Sequence, residues 1–467
     1  MRPFRPWLLL LWLIVVGCQA TVTQSRTRLE DEGVVYLYLQ PPAQEAGRLR
    51  FGIDGISALH SDGRELPLSV SLREMKGGDV GRQRLLAAGP LAAGGYSGFV
   101  LRTTSAALRG EEGESALLVP EAPTRIDFKF AVRRREGSVI WLSLSYPESV
   151  EAGFRFSPTF SVHAPERPPV ALMGFVANSR SHDITVFSKK SLQVFDVIAT
   201  GRGPSGMALD QRARRVYVAL SEEDSVEVID IMAGRIVDRV TLTPGDEPVA
   251  LALTPDGATL LSANRGSNTV SVIEPGSRLE ASKITVGNGP RSIAVDRAGR
   301  RAFVFNTPSS TVSVIDIPSR GVIRTIPTDP GPVQGQFNRR GDRLYIIHET
   351  ASSVTAINPN TMTVIGRFPV RSAMDAIKVD PNTDLVYLGG RREVAVGVYD
   401  PFSFVPVDFI DAGGAIASMT TDADENALYL VSPGTKRVLV SHRIGRRLIG
   451  ELDTGDGPSW ISVMGEN

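Results

Sequence analysis

The sequence predicts an all-β fold: a β-sandwich over residues 33–165, followed over residues 173–467 by a closed ring of seven four-stranded blades, a β-propeller. Three observations lead to this prediction. The chain repeats itself from Met173 onward with a period close to 42 residues, which is typical of propellers and other repeat folds. Each repeat contains four short segments of alternating polarity. The repeat region begins three strands before its first complete repeat and ends one strand after its last, so the two ends together make one blade.

The N-terminus has the features of a secretory leader. Two arginines precede an apolar run over residues 7–16, which is shorter than the roughly 20 residues of a membrane-spanning helix. The sequence VVGC at 15–18 resembles the lipobox of bacterial lipoproteins, which implies that Cys18 carries a lipid. We expect a signal peptide over residues 1–17 and a lipidated tether over residues 18–32. An ordinary signal peptide with an incidental cysteine is the alternative.

The composition and the residue after Cys18 indicate in which compartment the protein lies and which classes of partner it binds. Gln19, rather than Asp, follows the cysteine, and within the lipoprotein resemblance this favours the outer membrane. Cys18 is the only cysteine, so the chain forms no intramolecular disulfide and has no CxxCH haem-attachment motif. The 51 basic and 51 acidic side chains balance. Nucleic-acid binding calls for a basic surface, and we therefore expect no nucleic-acid partner.

The first domain is predicted from strand-like segments. Between Val34 and Val162 about seven period-2 segments are bounded by Gly, Pro, Asp and Ser, the pattern of a β-sandwich. The turn Leu-Ala-Ala-Gly-Gly-Tyr at 91–96 and its neighbours resemble a transthyretin-like sandwich domain of bacterial lipoproteins, a resemblance that implies no activity. The proline-rich segment APERPPVA follows, and we assign residues 166–172 to a linker because proline disfavours helix and central strand.

The number of blades follows from the spacing of one recurring turn. The turn residues before the first strand of successive repeats lie 42 to 44 residues apart: Pro204, Pro248, Pro290, Pro332, Met374, Ile416 and Pro458. Six complete repeats and the blade shared by the two ends give seven blades. A closed ring leaves only short, protected strand edges, whereas an open solenoid would need capping repeats that the sequence lacks.

Two segments carry a family resemblance. TPDGATLLSANRGSNTVSVIE at 254–274 and TVSVIDI at 311–317 resemble the YVTN family of β-propeller repeats, whose signature runs PDG-x-x-YVTN-x-x-x-NTVSVID. The resemblance extends over almost all of residues 173–465. The repeats that begin at 374 and 416 depart from the signature, with YLGGRREVAVGVYD and YLVSPGTKRVLVSH in its place.

Motifs of known chemistry are absent from the sequence. None of its five histidines has the spacing of a zinc site, and no GxSxG nucleophile motif occurs. Glycine-rich stretches such as GRGPSG precede strands rather than helices, so we interpret them as return turns and not as phosphate loops. The sequence therefore predicts no catalytic residue, no metal site and no cofactor.

Candidate binding residues follow from propeller geometry. Loops from an outer strand to the next inner strand share one face with the loops between second and third strands, around the mouth of the central channel. Arg and Trp are favoured at interfaces. Trp460 could instead pack at the seam that closes the ring. The candidates on this face are Arg202, Arg265, Arg291, Arg371, Arg391, Arg392, His182, His348 and Trp460.

These observations favour a lipid-anchored, non-enzymatic binding or scaffold protein of the Gram-negative cell envelope, attached to the outer membrane through Cys18. Its partner would be an envelope protein or a polysaccharide bound at the propeller face. One alternative is a propeller enzyme, similar to lactonases, lyases or the propeller of haem d1 nitrite reductases, with a scattered site at the channel mouth. Another is an adhesin or structural component of the envelope surface.

Overall fold

The computed structural model describes residues 31–79 and 81–466, and two β domains account for nearly all of them. The predicted signal peptide, Cys18 and the tether up to residue 30 lie outside the described residues. Across the described part of the chain, no helix is long and apolar enough to span a membrane. The short helices are η1 (Gln44–Arg48), η2 (Gly77–Asp79), α1 (Tyr146–Ser149) and η3 (Val170–Leu172).

The first domain is built on one curled sheet in the strand order β12-β9-β1-β5-β3-β2-β6-β7, in which β4 also pairs with β2 and β8 with β6. Its strands are β1 (Glu32–Leu39), β2 (Leu49–His60), β3 (Glu65–Val70), β4 (Glu74–Met75), β5 (Arg84–Ala92), β6 (Gly94–Arg109), β7 (Glu114–Leu117), β8 (Thr124–Val132), β9 (Gly137–Leu144), β10 (Val150–Glu151), β11 (Arg155–Phe156) and β12 (Phe160–His163).

The curled sheet differs in one respect from the predicted sandwich. Strand β3 pairs with β2 over Glu65–Leu68 and with β5 at Ser69 and Val70, so the two layers are continuous rather than separate. The sheet encloses an apolar core that includes the buried rings of Phe51, Phe99 and Phe156. An all-β first domain was predicted; its continuity through one shared strand was not.

The second domain consists of seven four-stranded antiparallel sheets, which we number as blades 1–7 along the chain. From the channel outward, the first four blades contain the following strands: blade 1, β40 (Pro458–Val463), β13 (Met173–Asn178), β14 (Asp183–Ser188) and β15 (Val194–Ala199); blade 2, β16 (Pro204–Asp210), β17 (Arg215–Leu220), β18 (Ser225–Asp230) and β19 (Arg235–Thr241); blade 3, β20 (Pro248–Leu253), β21 (Leu260–Asn264), β22 (Thr269–Glu274) and β23 (Leu279–Thr285); blade 4, β24 (Pro290–Val295), β25 (Arg301–Asn306), β26 (Thr311–Asp316) and β27 (Gly321–Pro327).

The other three blades have the same plan. Their strands are, for blade 5, β28 (Pro332–Phe337), β29 (Leu344–His348), β30 (Ser353–Asn358) and β31 (Thr363–Pro369); for blade 6, β32 (Ala376–Val379), β33 (Val386–Gly389), β34 (Ala395–Tyr399) and β35 (Pro406–Asp411); for blade 7, β36 (Ser418–Asp422), β37 (Ala427–Ser432), β38 (Arg437–His442) and β39 (Leu448–Asp453).

The ring closes inside blade 1, as the sequence predicts. Strand β40 pairs antiparallel with β13, in a register that places Val463 opposite Gly174 and Trp460 opposite Ala177. The first strands of neighbouring blades contact one another around the whole ring. The prediction of seven blades closed by three N-terminal strands and one C-terminal strand is confirmed.

One backbone hydrogen bond recurs in every blade. The residue after each outer strand donates its N–H to a carbonyl 18 residues earlier, in the turn between the second and third strands. Blades 6 and 7, whose sequences depart from the YVTN signature, keep this bond because the main chain makes it. The seven donor–acceptor pairs are Thr200–His182, Leu242–Asp224, Val286–Asn268, Thr328–Ser310, Val370–Ser352, Ala412–Val394 and Thr454–Lys436.

The first domain packs against the outer strands of blades 7 and 1. Trp141 donates its indole N–H to the carbonyl of Val194, 2.9 Å away, and the side chain of Gln83 bonds both backbone groups of the same residue. On blade 7, Asp453 accepts from the guanidinium of Arg84 at 3.0 Å. An apolar cluster that includes the side chains of Tyr36 and Tyr38 fills the space between these contacts, so the two domains share a core.

A buried tyrosine tests this shared core. The hydroxyl of Tyr36 donates to the carboxylate of Asp183 in blade 1. Burial, followed by the charge of Asp183, raises the pKa of Tyr36 well above its ordinary value, so the phenol stays protonated. We expect Tyr36→Phe to lower the free energy of unfolding by about 1–3 kcal/mol, because the buried carboxylate loses a donor.

A matched control is Tyr429→Phe. The Tyr429 hydroxyl is equally buried, but no group among the described residues forms a hydrogen bond with it, so this change should be neutral or slightly stabilising. Urea unfolding of the two variants is the measurement. Equal effects of the two changes would contradict a stabilising bond between Tyr36 and Asp183.

Candidate functional site

The two sets of loops that were predicted to share a face do meet there. In three blades an acidic side chain in the loop before the first strand contacts a basic side chain in the loop between the second and third strands. The contact distances are 2.8 to 3.1 Å, and most of the side chains involved are exposed, so these contacts arrange the charges of the face more than they stabilise the fold. The pairs are Asp456–Arg180, Glu247–Arg265 and Asp375–Arg391.

Arg291 lies at the start of the first strand of blade 4, near charged side chains of blades 3, 5 and 6. Solvent reaches its guanidinium, yet burial by the surrounding protein lowers the pKa of Arg291. The charges of Arg391 and Arg265 also lower this pKa, whereas those of Glu349 and Asp375 raise it. Four charged side chains from loops of blades 3, 5 and 6, namely Arg265, Glu349, Asp375 and Arg391, therefore lie within electrostatic range of Arg291. We call these five residues the mouth cluster.

Arg371 and Arg392 are exposed beside the mouth cluster. No carboxylate of the described chain lies within 4.0 Å of either guanidinium. Both side chains are therefore available to a partner, whereas the guanidinium of Arg391 is held 2.8 Å from the carboxylate of Asp375.

His348 does not reach this face. Its side chain is completely buried at the end of β29, where Nδ1 lies 3.0 Å from the carbonyl oxygen of Ser353 and Nε2 lies 3.4 Å from the hydroxyl of Thr355. A carbonyl only accepts, so Nδ1 carries the proton and Nε2 accepts from the hydroxyl. The imidazole is thus a neutral part of the blade interior, and its expected position on the mouth face is corrected.

The same position in three other blades holds asparagine. Asn178, Asn264 and Asn306 each end a second strand and bond side chains five and seven residues further on, at 2.6 to 3.2 Å. Those offsets are also the ones from His348 to Ser353 and Thr355. His348 therefore substitutes for a structural asparagine that ties the second strand to the third.

His182 is also part of the blade framework. It adopts a positive φ of 57° in the turn between β13 and β14, and its Nδ1 accepts the N–H of Gly203 at 3.1 Å. Asp224 and Asn268 occupy the same place in blades 2 and 3, and their side chains likewise accept backbone N–H groups of the next connecting loop, at 2.7 to 2.8 Å. His182 therefore joins blade 1 to the loop that leads into blade 2.

Trp460 packs at the ring seam, the alternative that the sequence left open for it. It lies opposite Ala177 in the closing strand pair, and its partly buried ring packs on the apolar cluster shared by blades 1 and 2. The C-terminal residues that follow β40 cross beneath the channel: the carboxylate of Glu466 lies 2.8 Å from Nζ of Lys378, and Gly465 donates to Gln211.

Arg202 contributes to the mouth face and also to a separate groove. Its guanidinium lies 3.5 Å from Glu223, and both residues line a cavity of about 750 Å³ between the first domain and blades 1 and 2. Arg135 and Arg235 line this groove as well, and sequence reasoning missed both. They lie on different domains, 100 positions apart, and no local pattern indicates that they face one cavity.

Metal ligation finds no support in the described part of the chain. No three His, Cys, Asp or Glu side chains there are grouped so that they could hold a metal ion.

Residues 167–379 match the YNCE-like beta-propeller family. The matched segment begins in the linker and ends at the last residue of β32, so it covers blades 2 to 5 and parts of blades 1 and 6. It agrees with the repeats that follow the YVTN signature, and the more divergent last part of the propeller lies beyond it. Among curated proteins, no significant match to the chain exists.

Solved structures of several proteins are similar in fold to this chain. Hydrazine synthase of Kuenenia stuttgartiensis aligns at 20% identity and a TM-score of 0.53, over 57% of this chain and 91% of that one. A putative 6-phosphogluconolactonase of Bacteroides fragilis aligns at 14% and 0.54, over 63% and 99%. A protein of unknown function from Desulfotomaculum acetoxidans aligns at 14% and 0.55, over 63% and 99%. At these identities the likeness shows the fold alone.

His348 predicts a specific pH dependence of stability. Burial lowers the pKa of His348, a shift reinforced by Arg367 and opposed by the Ser353 hydrogen bond and by Asp329. The unfolded chain therefore takes up a proton below about pH 6.5 that the folded chain resists, so the stabilising contribution of the neutral imidazole is lost as pH falls. We expect His348→Asn to remove this component while keeping the fold, and His348→Ala to cost about 1–3 kcal/mol at neutral pH.

Denaturant unfolding of the wild type and both variants between pH 5 and 8 measures this effect. The difference in stability between wild type and His348→Asn should shift in favour of the asparagine variant as the pH falls. A difference that is constant across this range would contradict a buried, neutral His348.

Proposed function

We propose that the protein is a non-enzymatic binding or scaffold protein of the cell envelope, and that the propeller face around the mouth cluster binds another protein. The observation that carries this proposal is the position of Arg291. Its side chain is exposed, burial by the surrounding protein lowers its pKa, and charges of both signs lie close by. Arginine in such a surrounding is a typical interface anchor.

The alternation of charge on this face favours a protein over a polyanionic glycan. Arg180, Arg265 and Arg391 each have a carboxylate within about 3 Å, so a uniformly negative chain would meet acidic groups beside every one of them. A protein surface offers both signs and can match such a pattern. The exposed Arg371 and Arg392 add cationic contacts at the rim of the face.

Anchoring completes the proposal. The lipobox-like VVGC at 15–18 supports lipidation of Cys18, and the residue after it supports the outer membrane as the location. With the residues from Cys18 up to the start of β1 as a tether, the propeller would stay close to the membrane surface and present its mouth to envelope proteins. The enzyme alternative rests on fold likeness to lactonase-like and other proteins.

Site-specific photocrosslinking in intact envelopes tests the binding face. A photoreactive residue at position 392, on the mouth face, should capture a protein, whereas the same residue at Arg340, in the turn at the opposite end of blade 5, should not. Introducing Arg265→Glu and Arg291→Glu should reduce capture at position 392 about ten-fold or more, because charge reversal removes two cationic contacts. Equal capture with and without these two changes would show that the mouth cluster is not the binding surface.

Fractionation tests the anchor. We expect the wild-type chain in the detergent-soluble membrane fraction and Cys18→Ser in the aqueous fraction, because stable attachment depends on the lipid that Cys18 carries. The control is Ser25→Ala, a change within the predicted tether that leaves the cysteine in place. A Cys18→Ser chain that stays with the membrane would contradict lipid anchoring.

A further inference from the structure

A groove runs along the outside of the propeller between blades 1 and 2. Strand β15 and the loop after it form one wall, and the turn before β19 together with that strand forms the other. The turn between β8 and β9 of the first domain covers it. The cavity measures about 750 Å³, which lies within the range of small-molecule binding sites.

Arginine dominates the charged lining. Six arginines and four acidic residues line the groove. Four of the arginines have carboxylate partners at 2.5 to 3.6 Å. Arg135 and Arg235 have none within 4.0 Å among the residues the structure describes. One of these two cations belongs to the covering turn and the other to blade 2, so unneutralised positive charge comes from both domains.

The groove is formed before any ligand arrives. Gly137 lies so close to the carbonyl oxygen of Val197 that a Cβ at this position would clash with it, so the covering turn packs directly on β15. Arg167 of the linker bonds the carbonyls of Ile231 and Met232 at 2.9 and 3.1 Å, which fixes the turn on the opposite wall. A preformed site loses less entropy on binding than one that must be assembled.

Hydrogen-bonded side chains support the wall of blade 2. Glu227 is buried, and its carboxylate accepts hydrogen bonds from the guanidinium of Arg239 and from the N–H of Gly201. Arg239 also reaches Glu223 at 2.8 Å, so its guanidinium is held in one orientation. Burial is the largest influence on Glu227 and raises its pKa, and the bond from Arg239 opposes this shift.

We propose that this groove binds an anionic ligand that carries at least two carboxylate or phosphate groups, which Arg135 contacts from the covering turn and Arg235 from the wall formed by blade 2. Guanidinium groups recognise both kinds of anion through paired N–H donors. A ligand with two anionic groups can contact both arginines, one on each domain. This site is separate from the mouth cluster and does not depend on the function proposed there.

Titration calorimetry of the full chain with three probes tests the proposal and identifies the ligand class. Citrate represents a free polycarboxylate, pyrophosphate a free polyphosphate, and digalacturonate an acidic sugar. We expect at least one probe to bind the wild type with a dissociation constant below about 1 mM, and Arg135→Gln/Arg235→Gln to weaken it about ten-fold or more. The matched control is Arg324→Gln/Arg340→Gln, two exposed arginines outside the groove.

Each outcome decides the proposal. Loss of binding in the groove variant with retention in the control supports it, and the probe that binds tells a free anion from an acidic sugar. Equal weakening in both double variants shows non-specific attraction to net charge and overturns it. Failure of all three probes to bind the wild type also overturns it. Thermal unfolding of both variants at the wild-type temperature excludes misfolding as the reason for a loss.

Discussion

The pairing of β40 with β13 is the interaction on which the propeller depends. It joins the last strand of the ring to the first one, and it consists of backbone hydrogen bonds rather than a covalent link, since the chain has only one cysteine. Without it, blade 1 would lose its inner strand, and the first strands of blades 2 and 7 would lose their neighbour. The first domain supports this seam from outside. Trp141 and Gln83 form hydrogen bonds with the outer strand of blade 1, and Arg84 forms an ion pair with Asp453 of blade 7. Because the first domain directly precedes blade 1 in the chain, it packs beside the seam.

In this propeller the contacts inside the ring recur from blade to blade, whereas the loop side chains at the mouth differ. Apolar strand residues, the recurring backbone bond and the side-chain links at Asn178, Asn264, Asn306 and His348 are all internal to the ring. The loop side chains at the mouth are not needed for these contacts and differ in charge from blade to blade. Two chemically different surfaces result. The mouth carries alternating charges, whereas the groove beside the first domain has arginines without acidic partners.

Much of this fold can be predicted from the sequence, because few repeat architectures have four strands in a period of 42 residues. The partial repeats at the two ends of the repeat region then favour a closed ring. The continuous sheet of the first domain does not follow, because the pairing of β3 with two strands depends on contacts remote in the chain. Among the candidate site residues, Arg265, Arg291 and Arg391 come together as expected from loop position. His348 lies where a loop-adjacent residue should be exposed, yet it fills an asparagine position inside the blade. An alignment of the seven repeats could have shown that His348 occupies an asparagine position. No local sequence pattern could have shown that Arg135 and Arg235 line the same groove.

Hydrogen exchange of the seam is the most direct test of this account. In the native protein, the amides of β40 (Pro458–Val463) and β13 (Met173–Asn178) that form the seam should exchange as slowly as those of β24 and β25 in blade 4, because opening the seam requires opening the ring. Rapid exchange of β40, with β24 and β25 still protected, would show that the C-terminal strand frays like an ordinary chain end. That result would contradict a propeller held by closure at blade 1.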